Sequence, residues 1–399
     1  MLKNSYHSCM KIVADKYLYK LDELLPDGVD LTLFDPDHGF PENVMSADAL
    51  LIRTVTKINK QTLPEAGNLR FIGSATAGFD HVDRQHLQDL GVAFSCSEGC
   101  NANAVGEYVI TVLYRWAEVR KKDVQKLRVG IVGCGHTGGA VLHYLNKLGI
   151  DTVMYDPPKS IREPGFKSDS LESLLACDVL TFHTPLTFNG EHATYHLCNT
   201  EWLLNRFGLV INASRGGVVN EDSLLEAVRE KRVVDFVSDV WENEPDFSDE
   251  CARLAFIATP HIAGYSKQAK YRATEMIVNA MCKELGLQKK KTKLRVSAPK
   301  KEISILEKMS FTDFLWTLSN IRDYDDSLRK LVGLPVQEKA LKFAKLRSET
   351  ETRDEFGEIV RKLECIPGGL SELSIFSRND AATQRCDDVT TQRRNDVTM

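Results

Sequence analysis

Eleven short runs of apolar, largely β-branched residues punctuate the chain up to residue 260, and the stretches between them are patterned as helices. The first series is KIVAD (11–15), LTLF (31–34), ALLIRTV (49–55), RFIGSA (70–75) and GVAFS (91–95). The second is RVGIVG (128–133), TVMYD (152–156), DVLTFHT (178–184), LVINAS (209–214), VVDFVSDV (233–240) and AFIATP (255–260). Runs that are apolar throughout, rather than alternating, suit strands covered on both faces, and such strands belong to parallel sheets with crossover helices. A long apolar-periodic segment, about 103–119, separates the two series, so the pattern predicts two α/β sheet units joined by a helix. At 399 residues and 43% hydrophobic, the chain has apolar material for two or three cores.

Downstream, a helical pattern at about 267–286 ends in Gly286, followed by QKKKTKLRVSAPKK with seven positive charges between 288 and 301. No aromatic residue interrupts that run, so it reads as a solvated linker rather than a nucleic-acid patch. FTDFLWTLSNI and EKALKFAKL then give a third, smaller unit its helical periodicity, and the near-duplicated TQRCDDVT and TQRRNDVT close the chain in a polar tail expected to be disordered. The expected divisions are 10–105 completed by 266–287, 106–265, 288–365, and a tail over 366–399.

Lys plus Arg number 51 against 56 for Asp plus Glu, a net charge of -5. No bulk positive field is available for nucleic acid or an anionic membrane, so a small anionic substrate needs a local basic site. No apolar run is long enough to span a bilayer and the N-terminus has no signal-type apolar core, which favours a cytoplasmic protein. The ten cysteines contain no CxxC pair and read as buried thiols. His192 and His196 stand four apart in EHATYH without a third ligand nearby; no metal is assigned.

The strongest chemical signal is Gly133-Cys134-Gly135-His136-Thr137-Gly138, which follows the strand RVGIV and opens a helix at about 137–148. Gly133 permits the tight turn, Gly135 lets backbone N–H groups approach a pyrophosphate, and Gly138 allows close packing of helix on strand. Eighteen residues beyond Gly138, at the end of the next strand, Asp156 offers a carboxylate to ribose hydroxyls and repels a 2′-phosphate, favouring NAD over NADP.

A dinucleotide beside a hydroxy acid needs a base for the hydroxyl proton and a cation for the carboxylate. INASRGG places Arg215 just past a strand end, VSDVWENEP places Glu244 past another, and ATPHIAG places His261 past a third. Each has a bland reading alone, since an Arg beside glycines often caps a turn and a lone His is often structural. Ligands collect beyond the carboxyl ends of parallel strands, so the three can converge: His261 takes the proton, Glu244 fixes its tautomer, and Arg215 grips the carboxylate.

GCGHTG, DPP at 156–158, TFHTPL, NASRGG, DVWENEP and PHIAGY together resemble NAD-dependent D-2-hydroxyacid dehydrogenases. RTVTKI, ATAGFDHVD, EGCNANAVGEYV, HIAGYS and IRDYDDSLRKLVG narrow the resemblance to a branch that oxidises a phosphorylated sugar acid, over about residues 10–360. The resemblance implies two Rossmann/flavodoxin-like doubly wound parallel-sheet domains, substrate-binding and NAD-binding, plus a small C-terminal α+β dimerisation domain and a homodimer. It implies Arg215, Glu244 and His261 as active-site residues, NAD contacts at Asp156, Thr184, Asp239 and Gly264, and substrate contacts at Thr54, Thr76 and Tyr265. Thr54 stands where a close relative has Ser, and Met10 aligns with the usual start of the family.

The substrate phosphate needs donors of its own, and Arg53 and Lys57, which flank Thr54, are the candidates. Two alternatives stand beside this reading: a dehydrogenase for another D-2-hydroxy acid of the glycerate or phosphoglycerate type, and an NAD-binding regulatory module.

Overall fold

A computed structural model of the chain describes residues 9–290, 309–349, 352–361 and 368–376. Two all-parallel sheets carry it. β1 (Lys11–Asp15), β2 (Asp30–Phe34), β3 (Ala49–Ile52), β4 (Phe71–Ser74) and β5 (Ala93–Cys96) lie in the order β2-β1-β3-β4-β5. The second sheet contains β6 (Arg128–Val132), β7 (Asp151–Tyr155), β8 (Val179–Phe182), β9 (Phe207–Asn212), β10 (Val233–Ser238) and β11 (Ile257–Ala258), ordered β11-β10-β9-β8-β6-β7. Every residue of β3, β4 and β8 is buried, which is why these runs carry no polar alternation. In the second sheet the order reverses at β6, between β7 and β8, so the loops after β6 and β8 diverge and leave a crevice at their carboxyl ends.

Two long helices tie the sheets together. Ala102–Val119 buries Val105, Val109, Val112, Leu113 and Trp116 in the core of the second sheet, and the Trp116 Nε1–H donates to Asp235 at 2.8 Å. Lys267–Leu285 returns the chain to the first sheet, where Tyr271, Ile277, Val278, Met281 and Leu285 join Ile12, Leu51 and Phe71. Ser266 caps its start by accepting from the Ala269 N–H, and Gly286 ends it in the left-handed conformation (φ 70°).

The described part of the C-terminal unit is helical: Phe311–Leu318, Ile321–Arg329, Val336–Glu349 and Phe356–Val360, with a 3₁₀ segment at Gly368–Phe376. The expected α+β mixture therefore shows only its helical half among the described residues. The unit docks through buried charge. Arg353 pairs with Glu107, whose other oxygen accepts from the Phe356 N–H at 2.8 Å, and Arg272 grips Glu355. The expectation of disorder from residue 366 fails over 368–376, because Leu373, Ile375 and Phe376 are buried and the Phe376 ring packs 5.1 Å from Phe356 and 5.3 Å from Tyr144. Polar composition concealed that short apolar anchor. The linker over 291–301, the duplicated tail and residues 1–8 lie outside the described residues. No helix among the described residues is long and apolar enough to cross a membrane.

Candidate active site

The loops after β6 to β11 build one site at the carboxyl edge of the second sheet. Gly133 follows β6 with φ 85°, and a Cβ there would meet the His183 backbone and the Thr184 methyl at 2.8–2.9 Å. A Cβ on Gly138 would overlap the Gly133 carbonyl oxygen, so helix and strand approach as closely as the chain permits. Gly135, the residue before the helix His136–Lys147, has nothing of the protein within 4 Å of its Cβ position, which leaves room for a phosphate over the helix N-terminus.

Asp156 follows β7 with both oxygens fixed. One accepts from the Cys134 N–H at 2.8 Å, locking the acid to the glycine loop, and the other from the Lys159 N–H at 2.9 Å. Each oxygen keeps a lone pair for a ribose hydroxyl. Thr184, after β8, has a buried hydroxyl with no hydrogen-bond partner beside Gly133, an orphan that a nucleotide would satisfy. These donors and this space fit NAD.

Glu244 and His261 lie in the loops after β10 and β11 and are hydrogen-bonded, Nδ1 to Oε2, at 2.8 Å. The second Glu244 oxygen accepts from the Trp241 N–H at 2.9 Å. His261 Nε2 makes no hydrogen bond to the chain among the described residues and stays open to a ligand. The His261 backbone is left-handed (φ 57°), a strained state for a residue with a side chain. Asp239 holds it there. Its carboxylate accepts from the Ile262 and Ala263 N–H groups, both at 2.8 Å, and from the Thr259 hydroxyl at 2.6 Å. The Asp239 side chain is buried as a brace under the histidine.

Arg215 follows β9. Its Nη1 donates to the Ser214 carbonyl at 2.9 Å, and its Nε approaches Asp80, on the first sheet's loop, at 3.5 Å. A Cβ on Gly78 would overlap the guanidinium, one on Gly216 would overlap the Trp241 carbonyl, and one on Gly264 would overlap Asn101. Glycines at these points bring Arg215, the Glu244 loop and the first domain together. Thr76 lies in the same first-domain loop, its hydroxyl donating to the Gly78 carbonyl at 2.8 Å, whereas Thr54 is exposed. Arg53 is less free than expected: Nε and Nη2 both donate to buried Asp15, at 2.8 and 3.3 Å. Lys57 is exposed. His196 bonds to Glu242 at 3.0 Å rather than to His192.

Two groups escaped sequence reasoning. The Tyr265 ring is flanked by Lys270 Nζ at 5.0 Å and Arg347 Cζ at 5.8 Å from its centroid. The signal for Arg347 was faint: Lys339, Phe343 and Arg347 recur every four residues along one side of the helix Val336–Glu349, a stripe that buries Lys339 and Phe343.

The family model for the D-isomer specific 2-hydroxyacid dehydrogenase NAD binding domain matches residues 108–263. An erythronate-4-phosphate dehydrogenase from Tolumonas auensis is 35% identical over 358 residues, 88% of this chain and 94% of its own length. One from Bacteroides fragilis is 33% identical over 352 residues, covering 87% and 98%. The chain belongs to the erythronate-4-phosphate dehydrogenase family. Solved structures agree on the fold: a protein from Thermus thermophilus has a TM-score of 0.58 at 24% identity and covers 69% of this chain and 97% of its own. A 3-phosphoglycerate dehydrogenase from Entamoeba histolytica with bound NAD+ has a TM-score of 0.56 at 21% identity, covering 70% and 96%. Those folds account for about 70% of the chain, whereas relatives in the erythronate-4-phosphate dehydrogenase family also run through much of the C-terminal unit.

The Glu244–His261 pair has a testable stability signature. Burial pushes the Glu244 carboxyl up, but His261, the Trp241 N–H and Arg347 outweigh it and leave the pKa below its ordinary value of 4.5. A carboxyl depressed on folding contributes stability above that ordinary value and loses it as pH falls through the lower folded value. Glu244→Gln is therefore expected to melt below the parent near neutral pH, with the gap closing as pH drops below about 4.5, as calorimetric scans across that range would read.

Proposed function

We propose that the protein oxidises 4-phospho-D-erythronate at C2 to 2-oxo-3-hydroxy-4-phosphobutanoate, a step towards vitamin B6. The observation that carries this reading is the Glu244–His261 hydrogen bond of 2.8 Å at the strand ends where Arg215 also emerges, in a chain 33–40% identical to relatives named for this activity.

NAD, held by the loop of Gly133, Gly135 and Gly138 with Asp156 and Thr184, supplies the hydride acceptor. Arg215 binds the C1 carboxylate with its planar fork and polarises the 2-oxygen. The free Nε2 of His261 takes the hydroxyl proton as the C2–H bond breaks. Glu244 keeps the Nδ1 proton in place and stabilises the imidazolium that results, so the base is oriented before substrate arrives. Thr76 and Tyr265, on opposite sides of the cleft, line the substrate, and closure of the two sheet domains excludes water from it. The homodimer implied by the C-terminal unit and a cytoplasmic location belong to the same proposal.

The test is purified protein with 4-phospho-D-erythronate and NAD, a 2-oxo acid being present to reoxidise cofactor that stays bound, and the oxidised sugar acid as readout. Turnover of glycerate or 3-phosphoglycerate at higher kcat/KM than 4-phospho-D-erythronate would overturn the substrate assignment.

A further inference from the structure

Among the described residues, the buried and half-buried cations mostly have carboxylate partners. Arg53 meets Asp15 at 2.8 Å, Lys339 meets Asp249 at 2.8 Å, Arg329 meets Asp325 at 2.8 Å, and Arg272 and Arg353 meet Glu355 and Glu107. A charge taken out of water is costly unless a counter-charge faces it, so this pairing is the physical norm. Lys270 and Arg347 depart from it. Neither has a carboxylate within ion-pair distance among the described residues: Lys270 Nζ donates to the Thr352 hydroxyl at 2.8 Å, and Arg347 Nε is buried with no hydrogen-bond partner.

Both cations flank the ring of Tyr265, four residues beyond the His261 base. They come from different parts of the chain, Lys270 from the helix Lys267–Leu285 and Arg347 from the C-terminal helix Val336–Glu349. Arg347 adds the smallest of the pulls that keep the Glu244 carboxyl below its ordinary range. Burial, and then the neighbouring Arg53, push the Lys270 pKa down. Cation–π contact with Tyr265 offsets only part of this.

We infer that Lys270 and Arg347, both beside the Tyr265 ring, form the subsite for the substrate's phosphoryl group. The inference deepens the proposed function and rests on it. A hydroxy acid with an anionic group at each end needs two basic sites; Arg215 serves the carboxylate, and the pair at Tyr265 supplies the second. The C-terminal unit then does more than assemble the protein. It carries Arg347 into the cleft.

The test compares the parent with Arg347→Gln, Arg347→Lys and Lys270→Gln, using 4-phospho-D-erythronate and unphosphorylated D-erythronate. The preference for the phosphorylated acid, as a ratio of kcat/KM values, is expected to fall about 10- to 100-fold in each Gln variant, with partial recovery in Arg347→Lys. Inorganic phosphate reads the same subsite without turnover: its protection of the parent against thermal unfolding should weaken in both Gln variants. Equal losses on the two acids, or unchanged phosphate protection, would overturn the subsite. A parent that turns over only an unphosphorylated acid would instead overturn the proposed function, while phosphate protection would still report on Lys270 and Arg347.

Discussion

His261→Asn lowers kcat for oxidation of the hydroxy acid by on the order of 10²–10⁴-fold, about 3–5 kcal/mol of barrier. The expectation follows from how the two ring nitrogens are used. Nδ1 is committed to Glu244 at 2.8 Å, and Nε2 has no partner among the described residues, so the ring has a single open position at which to accept a proton. Asn is close in size and donates to Glu244 from its amide, but it has no basic nitrogen for the hydroxyl proton. Asp239 braces the loop through the backbone N–H groups of residues 262 and 263, and those bonds survive the substitution. NAD affinity is therefore expected to stay near the parent value while turnover collapses, and the melting temperature to fall as buried Glu244 loses its imidazole partner. A kcat within tenfold of the parent, at unchanged cofactor affinity, would remove His261 from the proton-transfer role.

Arg215→Lys is expected to lower kcat/KM by on the order of 10²–10³-fold. The charge is retained, so a loss of this size would come from geometry. The guanidinium is anchored by the Ser214 carbonyl at 2.9 Å and lies against the first domain at Gly78 and Asp80, leaving its fork fixed for a carboxylate. A lysine ammonium is a point donor on a flexible stem and cannot hold a carboxylate bidentately while polarising the neighbouring oxygen. In the proposed mechanism Arg215 grips the carboxylate in the ground state and the developing carbonyl oxygen in the transition state, so both KM and kcat should suffer. Steady-state kinetics read the split. A rise in KM alone would confine Arg215 to binding.

The strand runs lie within a few residues of the elements they announced, because most of these strands are buried enough for apolar continuity to mark them. The glycine loop was legible too: a tight turn, an open approach and a close helix–strand contact each demand glycine, whatever the remaining sequence does. Asp239 shows where that legibility stopped. A carboxylate at a strand end carries no sign in sequence of the three donors, twenty residues away or more, that it braces. Residues 368–376 make a similar point, since a few apolar side chains in a polar tail acquire meaning only when Tyr144, Phe311 and Phe356 surround them.

By itself the sequence determined the two parallel sheets, the nucleotide loop and the three residues proposed for the chemistry, because burial period, backbone freedom and strand-end position are local properties written in short windows. The tertiary structure alone decided which charges found partners. Lys339 and Arg347 lie on the same side of one helix, eight residues apart, yet the first meets Asp249 and the second reaches Tyr265 with no carboxylate within ion-pair distance among the described residues. Pairing depends on which remote segments the crossovers bring within a few ångströms, and no window of sequence contains that distance.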